Sequence, residues 1–173
     1  MKRFLTGFVL GILALIAGVW VWFATGHASV AVTDPNLPFE RLLARTAIHA
    51  RLKKETPRES PVPADEPNLL AGAKIYKDHC AVCHGLPDQP KTFPAAGMFP
   101  PPPQLFRGIG VTDDPAWESY WKAANGIRMT GMPGFKEKLT DAQLWQVSQL
   151  LAHADKLPDS VKRELVPPAA PPH

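Results

Sequence analysis

The sequence has only two cysteines among its 173 residues, so a framework of several disulfides is excluded. No run of basic residues is interleaved with aromatic ones, and the net charge is only +3, so nucleic acid is not expected as a partner. Charge is absent altogether between Arg3 and Asp34. The informative features that remain are an uncharged N-terminal region and a single pair of thiols.

The uncharged N-terminal region is apolar from residue 4 to at least residue 23. About 20 apolar residues, rising roughly 1.5 Å each, span the roughly 30 Å hydrocarbon core of a bilayer. Residues 1–26 are therefore predicted to be a transmembrane anchor or signal-anchor, with Lys2 and Arg3 in the cytoplasm and the following chain exported. A cleaved signal peptide is the alternative, although its apolar core is usually only about 7–15 residues long.

Residues 27–65 are predicted to contain a juxtamembrane basic helix followed by a proline-rich linker. Apolar residues recur at helical spacing over 39–54, and residues 39–59 hold six Lys or Arg against three Asp or Glu. Residues 66–157 hold nine of each, so the positive charge is concentrated beside the anchor. This helix is expected either to dock on anionic lipid or a partner subunit, or to act as a spacer with solvated charges.

Residues 66–157 are predicted to form an all-α domain with three main helices. The first begins at Pro67, because proline suits the first turn of a helix. The second covers about 115–125. The third begins at Thr140, where Gln143 completes a capping box.

The whole sequence contains 20 prolines, and many of them lie in loops and in the C-terminal region. The segment 85–113 is so rich in Gly and Pro that helix interior and strand are both excluded there. Residues 158–173, which end in Pro-Pro-Ala-Ala-Pro-Pro-His, are expected to be a disordered tail.

The two thiols lie in the motif Cys80-Ala-Val-Cys83-His84, which is typical of covalent haem attachment. Two thiols one helical turn apart bond the haem, and His84 is the proximal iron ligand. A thioredoxin-like site would need a βαβ pattern, and a zinc site would need a second ligand pair; both are missing. The His84 ring N–H is expected to donate to a backbone carbonyl, with Pro94 or one of Pro100–Pro103 as candidates.

A sixth iron ligand is sought in the segment 125–135, which contains Met129 and Met132. A thioether stabilises ferrous iron and raises the reduction potential. Methionine commonly fills gaps in a core, but a methionine flanked by Gly and Pro in a loop is poorly placed to do so. Ligation is therefore favoured, and the residues alone leave both methionines as candidates.

The motif at Cys80–Gly85, the later Gly131-Met132-Pro133-Gly134-Phe135 and a closing amphipathic helix resemble class I monohaem cytochromes c over residues 66–155. The resemblance implies a small domain of three main helices around one covalent haem c with its iron. It implies that Met132 is the distal ligand, with Met129 as runner-up.

The same resemblance implies how the first and last helices of the domain cross. Gly72 and Tyr76 are expected to pack against the C-terminal helix near Trp145 and Gln149. A glycine makes physical sense at such a crossing, because a missing side chain lets two helices approach closely.

The predicted function is electron transfer by a single-pass protein of the bacterial inner membrane, with its haem domain in the periplasm. Its expected partners are a respiratory donor and acceptor, and neither an enzymatic activity nor a small-molecule substrate is expected. One alternative is an electron-accepting subunit of a larger respiratory or dehydrogenase complex. Another is a ligand-binding or peroxidatic haem protein, which requires that neither methionine bind iron.

Overall fold

A computed structural model describes residues 1–55, 59–107 and 112–166 of the chain. All regular secondary structure in these residues is helical, as the predicted all-α class requires. In chain order the described helices are α1 (Lys2–Ala24), α2 (Glu40–Leu52), α3 (Glu66–His79), α4 (Ala81–His84), α5 (Phe93–Ala96), α6 (Ala116–Asn125), α7 (Asp141–Ala152) and α8 (Asp159–Glu164).

The chain divides into two compact units, Met1–Arg51 and Leu52–His173. The first unit contains α1, whose 23 residues have a mean hydropathy of 2.4 over their most apolar stretch. By length and composition this helix can cross a membrane, although a signal sequence near an N-terminus has the same properties. It is followed by α2, which lies within the helix predicted over 39–54.

The starts of the main helices in the second unit agree with the sequence patterns. The Asp65 side chain caps α3 by accepting a 3.1 Å hydrogen bond from the Asn68 N–H, and proline lies in the first turn. The capping box of α7 is complete, since Thr140 and Gln143 each bond the other's backbone N–H.

The crossing of α3 and α7 forms the centre of the core. A Cβ added at Gly72 would lie only 2.4 Å from the Gln146 carbonyl oxygen and 3.2 Å from Leu150 Cβ. The expected packing of Gly72 against the last main helix is therefore confirmed, with Gln146 and Leu150 as its direct neighbours. Tyr76, one turn further on, is fully buried in the same cluster with Trp145.

The end of the described chain departs from the prediction of a disordered tail. Residues 159–164 form α8, and the side chains of Val161 and Leu165 are fully buried in the core cluster. Lys77 Nζ on α3 lies 2.9 Å from Glu164 Oε1 on α8. The prediction of disorder was wrong for 158–166. Two apolar residues at i and i+4 spacing are enough to bury this short segment against the core, although it is flanked by proline. Residues 167–173, the rest of that predicted tail, lie outside the described residues.

The proline-rich segment, in which helix interior and strand were excluded, contains one short turn of helix, α5. Thr92 caps α5, its side chain accepting a 3.2 Å hydrogen bond from the Ala95 N–H, and Pro94 lies in the first turn, where its missing N–H costs nothing. The exclusion holds only for helix interiors. Residues 108–111 of the predicted loop, and 56–58 of the predicted linker, lie outside the described residues.

Candidate haem site

The two thiols are held one helical turn apart by the short helix α4. Cys80 ends α3 and begins α4, and its carbonyl accepts hydrogen bonds from the N–H groups of Cys83 (3.1 Å) and His84 (2.9 Å). Both cysteines are free thiols and both are half-buried. Burial, and to a lesser degree the neighbouring Cys83, raises the pKa of the Cys80 thiol to about 12, so the free thiol is protonated at neutral pH. Two adjacent free thiols followed by an imidazole fit the attachment of haem.

His84 is oriented by the proline-rich loop. Its Nδ1 lies 2.8 Å from the Pro103 carbonyl oxygen. A carbonyl only accepts, so Nδ1 carries the proton and Nε2 presents its lone pair to a metal. The prediction of a loop-proline carbonyl is confirmed, and Pro103 is the residue. Burial lowers the pKa of the His84 imidazole, opposed by the hydrogen bond to Pro103, so the neutral form that binds metals is favoured.

Buried side chains of α3 and of the proline-rich loop stabilise the cysteine–histidine motif. The Tyr76 hydroxyl donates a 2.7 Å hydrogen bond to the carbonyl of Gly85, the residue that ends α4 at φ +75°. Burial raises the pKa of Tyr76, so the hydroxyl stays a donor. The Phe106 ring packs edge-on against the Tyr76 ring with centroids 4.9 Å apart. These contacts tie the histidine-bearing helix to α3 and to the loop that carries Pro103.

The two candidate methionines lie in very different surroundings. Met129 is 92% exposed and has φ +60°, whereas Met132 is half-buried. The Thr130 hydroxyl donates to the Ile127 carbonyl (2.7 Å) and accepts from the Met132 N–H (3.1 Å). The Ile127 N–H donates to the Met132 carbonyl at 3.2 Å. The loop thus restrains the backbone of Met132 and leaves Met129 in solvent.

Two glycines fasten this loop to the end of α6. Gly126 has φ +68° and ψ −178°, a conformation that is essentially restricted to glycine. A Cβ added there would lie 2.6 Å from the Gly134 N atom, and one added at Gly134 would lie 2.9 Å from the Ala124 carbonyl oxygen. The Phe135 N–H then donates to the Ala123 carbonyl at 2.9 Å. The backbone on both sides of Met132 is therefore packed directly against α6.

Met98 is a further thioether beside the loop that sequence reasoning missed. A Cβ added at Gly131 would lie 3.1 Å from both Sδ and Cε of Met98, so this side chain packs directly on the residue before Met132. Its only sequence signal was a methionine within the proline-rich segment. The structure brings that segment to both sides of the site, through Pro103 at His84 and through Met98 at Gly131.

An exposed apolar rim lies next to the cysteine motif. Val82, between the two cysteines, is 55% exposed, and Phe93 is 93% exposed. Thr92 joins the two, because its hydroxyl donates a 2.7 Å hydrogen bond to the Val82 carbonyl. Two apolar side chains beside the cysteine motif are therefore open to solvent.

The helical fold and the thiol–imidazole motif together define a c-type cytochrome domain. Residues 67–151 match the family described as Cytochrome C oxidase, cbb3-type, subunit III. No curated protein and no solved structure matches the chain significantly. This region of the chain belongs to the monohaem c-type cytochromes, as the resemblance over residues 66–155 indicated.

A domain of this family binds haem c covalently, together with its iron, and serves haem-based electron transfer. The residues present fit that group, since two free thiols precede a histidine whose Nδ1 is already committed to Pro103. The zinc alternative finds no support, because no group of three His, Cys, Asp or Glu able to hold a metal occurs in 1–55, 59–107 and 112–166.

Proposed function

We propose that the protein is an electron carrier with a six-coordinate haem c, bonded through Cys80 and Cys83 and ligated by His84 and Met132. The observation that carries this proposal is the contrast between the restrained, half-buried Met132 and the 92% exposed Met129. The bound haem supplies one-electron chemistry through its iron, which cycles between Fe(II) and Fe(III).

The chain's own residues restrain both proposed ligands, His84 at its ring and Met132 at its backbone. The hydrogen bond from His84 to Pro103 fixes the imidazole tautomer and ring orientation. The glycine contacts around Met132 restrain the thioether side of the site. Little reorganisation would then be needed when an electron arrives, and with His84 and Met132 both bound to the iron no ligation site would remain for a substrate. We therefore propose a carrier without enzymatic activity.

Replacement of Met132 by alanine tests the ligand assignment. The Met132→Ala protein should lose the far-red absorption band of ferric haem with a thioether ligand, and its reduction potential should fall by on the order of 0.2 V, within the roughly 0.8 V span that axial ligands cover. Met129→Ala is the matched control and should retain both properties. If Met132→Ala keeps the band and the potential, Met132 is not the ligand; Met98→Ala then tests the neighbouring thioether.

We further propose that the haem domain is periplasmic and held at the inner membrane by residues 1–26. The apolar helix Lys2–Ala24 supports the anchor, and Lys2 and Arg3 support the orientation. The mass of the mature, haem-loaded protein tests haem attachment and anchor retention together. A mass equal to the full chain plus one haem is expected, and loss of about 26 residues would show that the segment is a cleaved signal.

The alternative is that the protein is an electron-accepting subunit of a larger complex. The description of the matched family, which names an oxidase subunit, and the basic segment 39–59 favour it. Purification in mild detergent separates the two proposals. A carrier is expected to elute alone or with substoichiometric partners, whereas a stable partner at fixed stoichiometry supports the subunit.

A further inference from the structure

Helix α2 presents an apolar face that no described residue covers. Phe39, Leu42 and Leu43 are 73%, 62% and 65% exposed. At about 100° per residue Leu42 and Leu43 lie on the same side of the helix as the exposed Ala47 and Ala50, and Phe39 directly precedes the helix with φ +63°. The electron-transfer function of the haem domain does not account for this face.

Basic side chains border the apolar face on both sides. At about 100° per residue, Arg45 lies next to Leu42 on one edge of the apolar face. Arg51 lies next to Ala47 on the other edge. Arg41 and Arg45 are exposed and make no ion pair with any residue that the structure describes. Long basic side chains beside an apolar stripe reach the phosphate level of a bilayer while the stripe enters the interface.

The position of α2 along the chain keeps it close to a bilayer. Fifteen residues separate Ala24, the end of α1, from Glu40, the start of α2. Such a linker reaches at most about 50 Å. This step rests on the proposed retention of α1 as an anchor. With α1 in the membrane, even a weak affinity suffices, because the tether gives α2 a high effective concentration at the surface.

We propose that α2 is an interfacial helix that binds an anionic lipid surface. Phe39, Leu42 and Leu43 enter the interface, and the exposed Arg45 contacts lipid phosphates. Charge complementarity favours lipid, since residues 39–59 carry three net positive charges whereas residues 66–157 carry none. The helix thus adds a second membrane contact and restricts the reach of the tethered electron carrier.

Trypsin protection in lipid nanodiscs tests this proposal on the full, haem-loaded chain. Cleavage after Arg41 and Arg45 should be about tenfold slower or more in discs of equal phosphatidylcholine and phosphatidylglycerol than in discs of phosphatidylcholine alone, since each basic residue near an anionic surface contributes about fivefold. Cleavage after the exposed Lys156 is the internal reference and should not change. The difference should disappear at high salt.

Two variants of equal charge distinguish the apolar face from simple electrostatics. Leu43→Glu places a carboxylate on the apolar face and should abolish the protection, whereas Ala44→Glu places it about 100° further around the helix, outside that face, and should retain most of the protection. Equal cleavage rates in the two lipids, or protection that needs a co-purifying protein instead of lipid, would overturn the proposal. A normal haem spectrum in such a case would leave the electron-carrier proposal intact.

Discussion

At the scale of single residues, the conformation of Gly126 decides where the loop with the proposed ligand Met132 lies. Its φ of +68° is strained for any other residue, and an added Cβ would collide with the Gly134 N atom at 2.6 Å. We expect Gly126→Ala to lower the free energy of unfolding by about 1–3 kcal/mol. Because the loop must move away from α6, the far-red thioether band should also weaken. Chemical denaturation and absorption spectroscopy of the ferric protein measure the two effects.

Gly97→Ala is the matched control for that substitution. Gly97 has φ −99°, and an added Cβ would meet only the Pro94 carbonyl oxygen at 3.8 Å. Stability and spectrum should therefore stay near those of the wild type. A Gly126→Ala protein with an unchanged spectrum would mean that the close packing of the loop on α6 does not hold the ligand.

At the scale of helices, the crossing of α3 and α7 depends on Gly72. A Cβ at Gly72 would approach the Gln146 carbonyl oxygen to 2.4 Å, a backbone contact that no side-chain rotation relieves. Overpacking should cost about 1–3 kcal/mol, reduced by the roughly 1 kcal/mol that alanine gains over glycine in a helix. We expect Gly72→Ala to be net destabilising in urea titration. The exposed Lys74→Ala on the same helix should be close to neutral, and equal behaviour of the two variants would contradict a close crossing.

Helix α8 supplies a second test at this scale. A chain that ends after Leu157 loses the fully buried side chains of Val161 and Leu165. At about 1.5–3 kcal/mol for each buried aliphatic side chain, this truncation should destabilise the haem domain by about 3–6 kcal/mol. A chain that ends after Val166 keeps both residues and is the matched control, expected to be more stable than the chain that ends after Leu157. If the shorter chain were equally stable, residues 158–166 would be dispensable, as a disordered tail would be.

At the scale of the whole molecule, acid stability reflects the contact between α3 and α8. The hydrogen bond from Lys77, aided by the charges of Lys77 and Lys74, lowers the pKa of Glu164 below its ordinary value. A lowered folded-state pKa contributes stability above the unfolded pKa of about 4.3, and this contribution is lost as the pH falls through the folded value. The free energy of unfolding should therefore decrease less between about pH 6 and pH 3 in Glu164→Gln than in the wild type.

Glu137→Gln is the control for this pH dependence. Glu137 is exposed and forms no ion pair with the described residues, so its replacement should leave the acid-induced loss of stability unchanged. Identical pH profiles for the wild type and Glu164→Gln would show that the ion pair is fully screened by solvent.

The sequence by itself determined those features that depend on neighbouring residues. The spacing of Cys80, Cys83 and His84 defines the haem motif, and one turn of helix realises it. The capping box at Thr140 and the helical start at Pro67 are likewise local, because each satisfies backbone N–H groups within a single turn. Local interactions of this kind can be predicted from the sequence, since the interacting residues are only a few positions apart.

The tertiary structure alone decided features whose partners are far apart in sequence. Pro103 became the acceptor for His84 across 19 residues, and the prolines of that loop offered no pattern to distinguish it. Solvent exposure and the hydrogen bonds of the loop distinguish Met132 from Met129, and only packing places Met98 beside Gly131. Val161 and Leu165 were predicted to lie in a disordered tail. A short segment with two apolar residues forms a helix only when an existing core can bury them, and the local sequence does not contain that information.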